Sequence, residues 1–405
     1  MYSYKVGISA EEHDLFVENH PQANLLQSSK WAQIKDSWGN ERIGVYQDNQ
    51  LVAAAAILIK PLPLGFTMFY IPRGPIMDYS NQDLVAFVIK SLKELGRKHR
   101  AIFIKIDPSL HLKANPVNEE TEENPLTLSQ VEHLTSLGLD WSGRTMQLAE
   151  TIQPRFQANL YATDYRLEHL PKKIRQAIRT AKNKGVSISF GHLELVDDFA
   201  KLMAKTEDRK HIHLRNKDYY TKLLTTYGDQ AYITMATLDL DEKENLLKAA
   251  LTKSENDLAK YSQMANQSRI KNLQAEIQRL QKELDSIKQA RTQGNRVLPL
   301  AATLSINFGK TSENLYAGMD EAYRSYNAPL LTWYETAQHA FDMGIDWQNM
   351  GGIENDLSGG LYQFKSKLNP VIEEFVGEFN IPVNPLLYKL AMLAYDWRKK
   401  LRSKH

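Results

Sequence analysis

The most informative absence in this 405-residue chain is that of cysteine. Without cysteine the chain can form neither a disulfide nor a thiolate metal site, and a cysteine nucleophile is excluded. An excess of one charge is missing too, because 50 Lys and Arg stand against 48 Asp and Glu and leave a net charge of +2. A polyanionic partner must therefore be met by a local group of cations rather than by the whole surface.

Long hydrophobic runs are also missing. The longest, residues 51–59, stops at Lys60 and is too short to span a bilayer. The first residues lack the apolar core of a signal peptide. With 42% apolar and 24% charged residues, the composition is that of a globular protein with ample core for two or three domains. We therefore expect a cytoplasmic protein that can touch a membrane without crossing it.

Several motifs of catalysis and nucleotide binding are absent as well. Gly309-Lys310-Thr311 resembles the end of a P-loop, but Leu304 stands where the first glycine of that loop belongs. There is no dinucleotide glycine pattern, no G-x-S-x-G nucleophile elbow and no pyrophosphate loop of the kind that binds acetyl-CoA. These absences disfavour a covalent mechanism and acetyl-CoA-dependent transfer.

Strand and helix patterns alternate along the chain and then recur. Residues 42–59 predict two strands joined by a turn at Asp48-Asn49, and residues 81–100 predict a helix before a strand that ends at Asp107. Comparable strands return at 231–239, at 299–309 and before the glycines at 351–352. We predict an α/β fold with a duplicated unit, and a ligand cleft between the copies or at their strand ends.

Residues 240–292 form an insertion of different character, since they contain no Gly or Pro. Apolar residues there step by three and four, which is the seam of a coiled coil: Ile270, Leu273, Ile277, Leu280, Leu284 and Ile287. With a looser seam upstream and a polar break near Asn266–Arg269, the pattern predicts an antiparallel helical hairpin. The hairpin is either a self-contained arm or a docking arm for a protein, an RNA or a membrane.

The strongest charge signal lies in residues 170–185, where a helix is predicted. Thirteen Lys and Arg stand against six Asp and Glu in residues 166–217, and no acid occurs from 171 to 193. A solvated basic face and a surface for a phosphate backbone both fit this pattern. The cations of the predicted helix are Lys172, Lys173, Arg175, Arg179, Lys182 and Lys184.

Three further stretches are candidates for binding. In residues 211–220 two histidines diverge on a helix, so no metal site is expected, whereas Arg215 and Tyr219 would share a helix face and could grip a phosphate or carboxylate. Residues 359–370 place Lys365 after two glycines, either in a turn with a solvated lysine or in a loop that presents a cation. Residues 384–405 predict a helix that packs on the core or approaches an anionic membrane.

Seven stretches, taken in order, resemble the Fem family of tRNA-dependent aminoacyltransferases, and most of all its streptococcal branch. The likeness covers nearly the whole chain. It implies two GNAT-like domains, residues 1–150 with 376–405 and residues 151–239 with 293–375, and an inserted coiled-coil hairpin at 240–292. The stretches are LLQSSKWAQIKDSW, FYIPRGPIMDY, IKIDP, QAIRTAKNKGV, HLRNKDYY, NLYAGMD and GGLYQFKSKLNP.

The reaction implied by this resemblance moves Ala, Ser or Gly from aminoacyl-tRNA to the stem-peptide lysine of lipid II, or to the first branch residue. It builds the interpeptide cross-bridge of peptidoglycan. The implied partners are aminoacyl-tRNA, lipid II and the inner membrane surface, with no cofactor, and a monomer is favoured. Two alternatives stay open: a noncatalytic module that binds tRNA or the envelope, and an acetyl-CoA-dependent acetyltransferase.

The resemblance also implies roles for individual residues. Asp107 and Lys365 match candidate catalytic positions, Asp107 for the acceptor amine and Lys365 for the ester oxygen or the tRNA end. An aromatic residue found in some relatives is Asn314 here, so its role is not carried over. The implied lipid II site is Lys35, Arg215, Tyr219 and Tyr316. The implied tRNA site is Phe364 with Lys172, Lys173, Arg175, Arg179 and Lys182.

Overall fold

The computed structural model describes residues 1–117, 119–263, 267–292, 294 and 296–402. Strands and helices alternate along the chain, so the predicted α/β class is confirmed. The strands are β1 (Tyr2–Val6), β2 (Gly39–Gln47), β3 (Gln50–Pro61), β4 (Thr67–Ile71), β5 (Ile76–Met77), β6 (Ala101–Ile106), β7 (His111–Pro116), β8 (Asp140–Trp141), β9 (Phe156–Tyr161), β10 (Val186–Gly191), β11 (Ala231–Asp239), β12 (Val297–Phe308), β13 (Thr311–Met319), β14 (Trp347–Gly352), β15 (Val371–Phe375) and β16 (Phe379–Pro382).

The α-helices flank these strands. The longest of them belong to the insertion predicted from the coiled-coil seam. They are α1 (Ala10–Glu18), α2 (Ser29–Ile34), α3 (Gln82–Lys98), α4 (Pro125–Ser136), α5 (Lys172–Asn183), α6 (Val196–Lys210), α7 (Lys217–Tyr227), α8 (Leu240–Gln263), α9 (Gln267–Thr292), α10 (Ala328–Asp342), α11 (Gly360–Lys365) and α12 (Pro385–Arg402).

Two mixed sheets organise the molecule. The first has the order β1-β2-β3-β4-β6-β16-β8, with β5 paired to β3, and only its β4–β6 pair is parallel. The turn predicted at Asp48-Asn49 joins β2 to β3, and both residues have the positive φ, 50° and 66°, that a tight hairpin turn requires. This sheet packs against α3 through Leu84, Val88 and Leu92.

The second sheet has the order β10-β11-β12-β13-β14-β9-β15-β7. Among its described strands, only β13 and β14 pair in parallel. Thr311–Glu313 pair with Trp347–Asn349, and beyond these residues the two strands diverge. A gap therefore opens between neighbouring strands in the middle of the sheet. α5 and α10 cover one face of this sheet, and α6 and α7 cover the other.

The chain crosses between the two sheets more than once. β7 comes from the stretch that the sequence assigns to the first domain, yet it forms the edge of the second sheet beside β15. Conversely, β16 leaves the second half and pairs with β6 in the first sheet. Pairing partners this distant in sequence were not predictable from local patterns.

The insertion forms the expected antiparallel arm. Lys243 near the start of α8 pairs with Glu283 of α9 at 3.0 Å, and Leu273 and Leu280 of the seam are buried. The Tyr326 hydroxyl donates to Glu283 at 2.7 Å and ties the root of the arm to the body. Of the predicted turn, Asn266 lies outside the described residues.

The last helix packs on the first sheet. The ring of Tyr388 in α12 lies 5.6 Å from that of Phe103 in β6, and its hydroxyl donates to Asp140 at 2.5 Å. Within the described residues, no helix is long and apolar enough to cross a membrane. Residues 403–405, which the sequence assigns to the first domain, lie outside the described part.

Candidate active site

A cleft of about 570 Å³ opens between the N-terminal helices and α7. Lys35 follows α2 as its closing residue, while Arg215 precedes α7 and Tyr219 lies in the first turn of that helix. Trp31 and Tyr70 complete the walls. The cleft thus combines a few charged groups with flat apolar walls, as ligand sites commonly do.

Arg215, Tyr219 and Tyr316 form one cluster. The Arg215 guanidinium lies 4.9 Å from the centroid of the Tyr219 ring, and the rings of Tyr219 and Tyr316 meet edge to face at 6.2 Å. Burial raises the pKa of the Tyr316 hydroxyl, while Tyr219 and Arg215 act in the opposite direction. The expectation that Arg215 and Tyr219 share a helix face is wrong, because α7 begins at Lys217. The pair still meets, since Arg215 folds back over the first turn.

Lys35 and Arg215 are close enough to repel each other. Burial lowers the pKa of Lys35, and the charge of Arg215 lowers it further. In the part of the chain that the structure describes, no carboxylate lies within ion-pair distance of either cation, and the nearby Asp36 is engaged by Lys222 at 2.5 Å. Two cations without a counter-charge favour an anion between them, and phosphate oxygens suit both donors.

Asp107 lies directly behind the cleft wall. It follows β6 and is almost fully buried. One carboxylate oxygen accepts a hydrogen bond from the Tyr70 hydroxyl at 2.7 Å, and the other accepts the backbone N–H of Arg73. Burial raises the pKa of Asp107 to about 6, while Arg73 and these hydrogen bonds act in the opposite direction. Because Tyr70 lines the cleft, a ligand there is one hydroxyl away from this carboxylate.

A cation and an acid are buried between the two sheets. Arg73 is 2% exposed, and its guanidinium stacks on the Phe375 ring at 4.0 Å. Glu313 of β13 accepts hydrogen bonds from Asn24 at 3.1 Å and from Asn349 at 2.7 Å. Burial raises the pKa of Glu313 to about 7, against the attraction of Arg73.

Replacing Glu313 by glutamine is expected to remove a pH-dependent loss of stability. The folded-state pKa of Glu313, about 7, lies above the usual 4.5. The protonated carboxyl therefore contributes its full stability below about pH 4.5. The free energy of unfolding falls by roughly 3 kcal/mol as pH rises through 7. Urea unfolding at pH 5 and pH 8 measures the difference. The exposed control Glu255→Gln should keep the wild-type difference, and an unchanged difference in Glu313→Gln would contradict the prediction.

Lys365 lies outside the cleft, in a second cavity of about 340 Å³. It ends the short helix α11 and is not part of a glycine-shaped loop, which corrects the expectation from the sequence. Its ammonium donates to the Gly352 carbonyl at 2.8 Å and lies 5.8 Å from the Trp333 ring. Burial lowers the pKa of Lys365 to about 7, with Glu354 opposing this effect and Lys210 adding to it. Its charge therefore responds to small changes around it.

The neighbours of Lys365 separate clearly by exposure. The Phe364 ring packs against Trp333 at 5.9 Å and lines the same cavity. Lys367 is exposed and lies over the Phe364 ring. Of Lys365 and Lys367, only Lys365 is buried in the protein.

β13 runs past both cavities. Tyr316 contacts Tyr219 of the first, and Gly318 lines the second, roughly 7 Å further along the strand. Along β13, Asn314 follows Glu313 and precedes Tyr316, at the point where β13 and β14 diverge. Both amide atoms of its side chain are buried and have no hydrogen-bond partner among the described residues. A ligand that reached this gap could satisfy them.

The basic helix forms as α5, with Ile174 and Ile178 buried beneath it. Lys182 has a counter-charge that is distant in sequence, Glu335 of α10 at 2.7 Å. Arg175 is half-buried, and its Nε has no hydrogen-bond partner in the described structure. The other predicted tRNA contacts on this helix are exposed: Lys172, Lys173 and Arg179.

Reasoning from the sequence missed Tyr70, Arg73 and Glu313. Tyr70 and Arg73 lie in a stretch that had been singled out, FYIPRGPIMDY, but the role of Arg73 depends on a φ of 50°, at which its N–H meets Asp107. For Glu313 the available signal was an acid directly before the stretch NLYAGMD, which the resemblance had singled out.

Comparison with known proteins covers nearly the whole chain. A family model described as FemAB family matches residues 8–396. The lipid II:glycine glycyltransferases of Staphylococcus aureus strains USA300 and Mu50 / ATCC 700699 are each 27% identical over 412 residues, with 95% of this chain and 94% of the relative covered. A crystal structure of FemX matches with a TM-score of 0.77 at 26% identity, over 96% of this chain and 99% of that one.

Proposed function

The chain belongs to the FemAB family, and from that premise we propose that it is an aminoacyltransferase of peptidoglycan cross-bridge synthesis. It moves Ala, Ser or Gly from aminoacyl-tRNA to the stem-peptide lysine of lipid II, or to the first branch residue. The observation that carries the proposal is the cleft beside Tyr219 and Tyr316, where Lys35 and Arg215 have no counter-charge among the described residues. The names of the staphylococcal relatives support lipid II as the acceptor.

Two parts of lipid II bind in the cleft, its pyrophosphate and its muramyl-peptide part. The pyrophosphate of lipid II lies between Lys35 and Arg215, whose hydrogen bonds to it are charge-assisted. The aromatic walls contributed by Trp31 and Tyr219 take the muramyl-peptide part. The protein works at the cytoplasmic face of the membrane and associates with it peripherally, because its acceptor is anchored there.

The donor binds beside Lys365. The exposed cations of α5 contact the tRNA backbone, with Arg175 and Lys182 at the edge of that surface, and Phe364 lies against the aminoacyl end. Two donors stand where β13 and β14 diverge. One is the Lys365 ammonium, which lies beside Gly351 and donates to the Gly352 carbonyl; the other is the Asn314 amide, which has no partner among the described residues. Both can donate to the oxygen of the ester carbonyl as negative charge develops on it.

The transfer needs no covalent enzyme intermediate, because an aminoacyl ester is already activated. The acceptor nitrogen forms a bond to the ester carbonyl carbon, the bond from that carbon to the ribose oxygen breaks, and the amine proton passes to the ribose oxygen. Asp107 acts through the Tyr70 hydroxyl, which orients the amine for attack. Lys365 stabilises the intermediate oxyanion.

Asp107→Asn is expected to lower kcat by about 100-fold with little change in the KM for lipid II. The wild-type rate should rise with pH through about 6 as the carboxyl ionises, and the variant should lose that rise. Initial rates between pH 5 and 8 measure both effects, and Tyr70→Phe should reproduce the fall in kcat. A variant with the wild-type rate and profile would reduce Asp107 to a structural role.

The test of the function is a transfer assay with alanyl-, seryl- and glycyl-tRNA, each labelled in its amino acid, and lipid II. A branched lipid II product with at least one donor is expected, and it also identifies the amino acid. Binding of tRNA and lipid II without any product would favour the noncatalytic module. Product formed only when labelled acetyl-CoA replaces the aminoacyl-tRNA as donor would favour the acetyltransferase.

A further inference from the structure

Exposed apolar side chains gather on one side of the first sheet. The loop between β3 and β4, residues 60–66 with the sequence KPLPLGF, carries Leu64 at its tip, and this side chain is 85% exposed. On α12, Leu386, Leu390 and Leu393 are 70%, 55% and 66% exposed. Because these leucines are spaced by four and three residues, they lie on one face of the helix. Contiguous exposed apolar groups of this kind mark interaction surfaces.

The loop and the helix adjoin. A depression of about 440 Å³ separates them, lined by Phe66 on the loop side and by Leu387 at the start of α12. Arg100 lies in the same depression, stacks on the Phe66 ring at 4.9 Å and donates to the Leu64 carbonyl at 3.3 Å. We call the loop 60–66 together with Leu386, Leu390 and Leu393 the apolar rim.

The segments that build the apolar rim carry cations, and the nearest acids in α12 and its contacts, Asp396 and Asp140 beside Tyr388, lie outside these segments. No Asp or Glu occurs in the segments that build the apolar rim, residues 51–77, 95–106 and 379–395. The exposed charged side chains of these segments beside the rim are cations: Lys60, Arg97, Lys98, Arg100 and Lys389. Apolar residues bordered by cations match a bilayer with anionic headgroups, where leucines enter the acyl boundary and cations meet lipid phosphates.

We propose that the apolar rim docks on an anionic membrane surface. The docking itself is argued from the apolar rim alone. Its purpose, to bring the cleft to a lipid-linked acceptor, rests on the proposed function. The Lys60 ammonium lies 5.4 Å from the ring of Trp38, which lines the cleft. The tip at Leu64 is four residues beyond Lys60, about 13 Å at most along the chain. Docking of the tip therefore holds the mouth of the cleft near the headgroups, where the pyrophosphate of a lipid-linked acceptor lies.

The experiment is co-sedimentation of the full chain with vesicles of phosphatidylglycerol and phosphatidylethanolamine, and with vesicles of phosphatidylcholine alone. The wild type should bind the anionic vesicles far better. Substituting Leu386→Ser, Leu390→Ser and Leu393→Ser together should weaken that binding about tenfold or more, and Leu64→Ser should weaken it in part. A matched control, Leu15→Ser with Leu126→Ser, removes leucines that are 63% and 53% exposed elsewhere and should bind as the wild type does.

Several outcomes would overturn the inference. The first is that the triple variant binds anionic vesicles as well as the wild type does. The second is that the wild type binds both kinds of vesicle equally. The third is that the leucine substitutions change only the oligomeric state, measured by size-exclusion chromatography. Thermal unfolding verifies that the variants are folded.

Turnover separates this inference from the proposed function. The triple variant should lose transfer to lipid II in vesicles while it keeps transfer to a short-chain, water-soluble lipid II. Equal loss with both acceptors would count against docking. A wild type that makes no product with either acceptor would refute the proposed function, and vesicle binding would still decide the inference.

Discussion

Replacing Lys365 by methionine is expected to abolish transfer, with kcat/KM lower by about 100- to 1000-fold. The ammonium lies beside the end of β14, where it donates to the Gly352 carbonyl. Methionine has a similar length and cannot donate a hydrogen bond to the ester oxygen. Affinity for lipid II should stay unchanged, because Lys365 lies outside the cleft that holds Lys35 and Arg215. Single-turnover rates with pre-bound aminoacyl-tRNA measure the loss.

The stability of this variant gives an independent check. Burial opposes the charge of Lys365, so a neutral side chain of similar size should leave the free energy of unfolding unchanged or increase it. The matched control is Lys367→Met, two residues on, which removes an exposed lysine and should retain activity. Full activity in Lys365→Met would end the assignment of this residue. Activity lost together with the fold would leave Lys365 with a structural role only.

Removing both cations of the cleft, Lys35→Ala with Arg215→Ala, is expected to raise the Kd for a short-chain lipid II by about 100-fold or more. Each loses a charge-assisted hydrogen bond, for which about 1.5–3 kcal/mol is typical. Isothermal titration calorimetry measures the Kd, and kcat at saturating acceptor should change far less. Arg215→Lys should recover only part of the loss, because lysine cannot bind an anion bidentately.

The cleft offers its own control for this prediction. Lys222 lines the same cavity but pairs with Asp36, so Lys222→Ala should shift the Kd only slightly. An unchanged Kd in the double variant would place the acceptor elsewhere. A shift in Lys222→Ala as large as that of the double variant would mean that the effect is general electrostatics and not a site.

Local patterns predicted most elements of the fold, because each depends on residues close in sequence. The turn at Asp48-Asn49 and the seam through Leu273 and Leu280 are such cases. The register of β7 against β15 and of β16 against β6 was beyond this reach. Which strand neighbours which depends on packing between distant segments, and no periodicity records it.

The candidate site was predictable as a set of residues but not as an arrangement. The resemblance identified Lys35, Arg215 and Lys365, and the structure places the first two in one cleft and Lys365 in another. No acid lies near Lys182 in the sequence, whereas the fold brings Glu335 against it. Absence of a counter-charge in sequence does not mean absence in space. Arg73 was missed because its contact with Asp107 depends on a backbone conformation, a φ of 50°, that the sequence does not show.

The exchange of strands between the sheets has a consequence for how the molecule comes apart. β7 cannot leave the second sheet without pulling on the chain that forms the first, and β16 ties the first sheet to residues that follow the second. Neither half therefore has all of its strands within one continuous segment. Loss of either sheet exposes an unpaired edge in the other, so the two halves should melt together as one cooperative unit. A fragment cut between them would lack a strand on both sides.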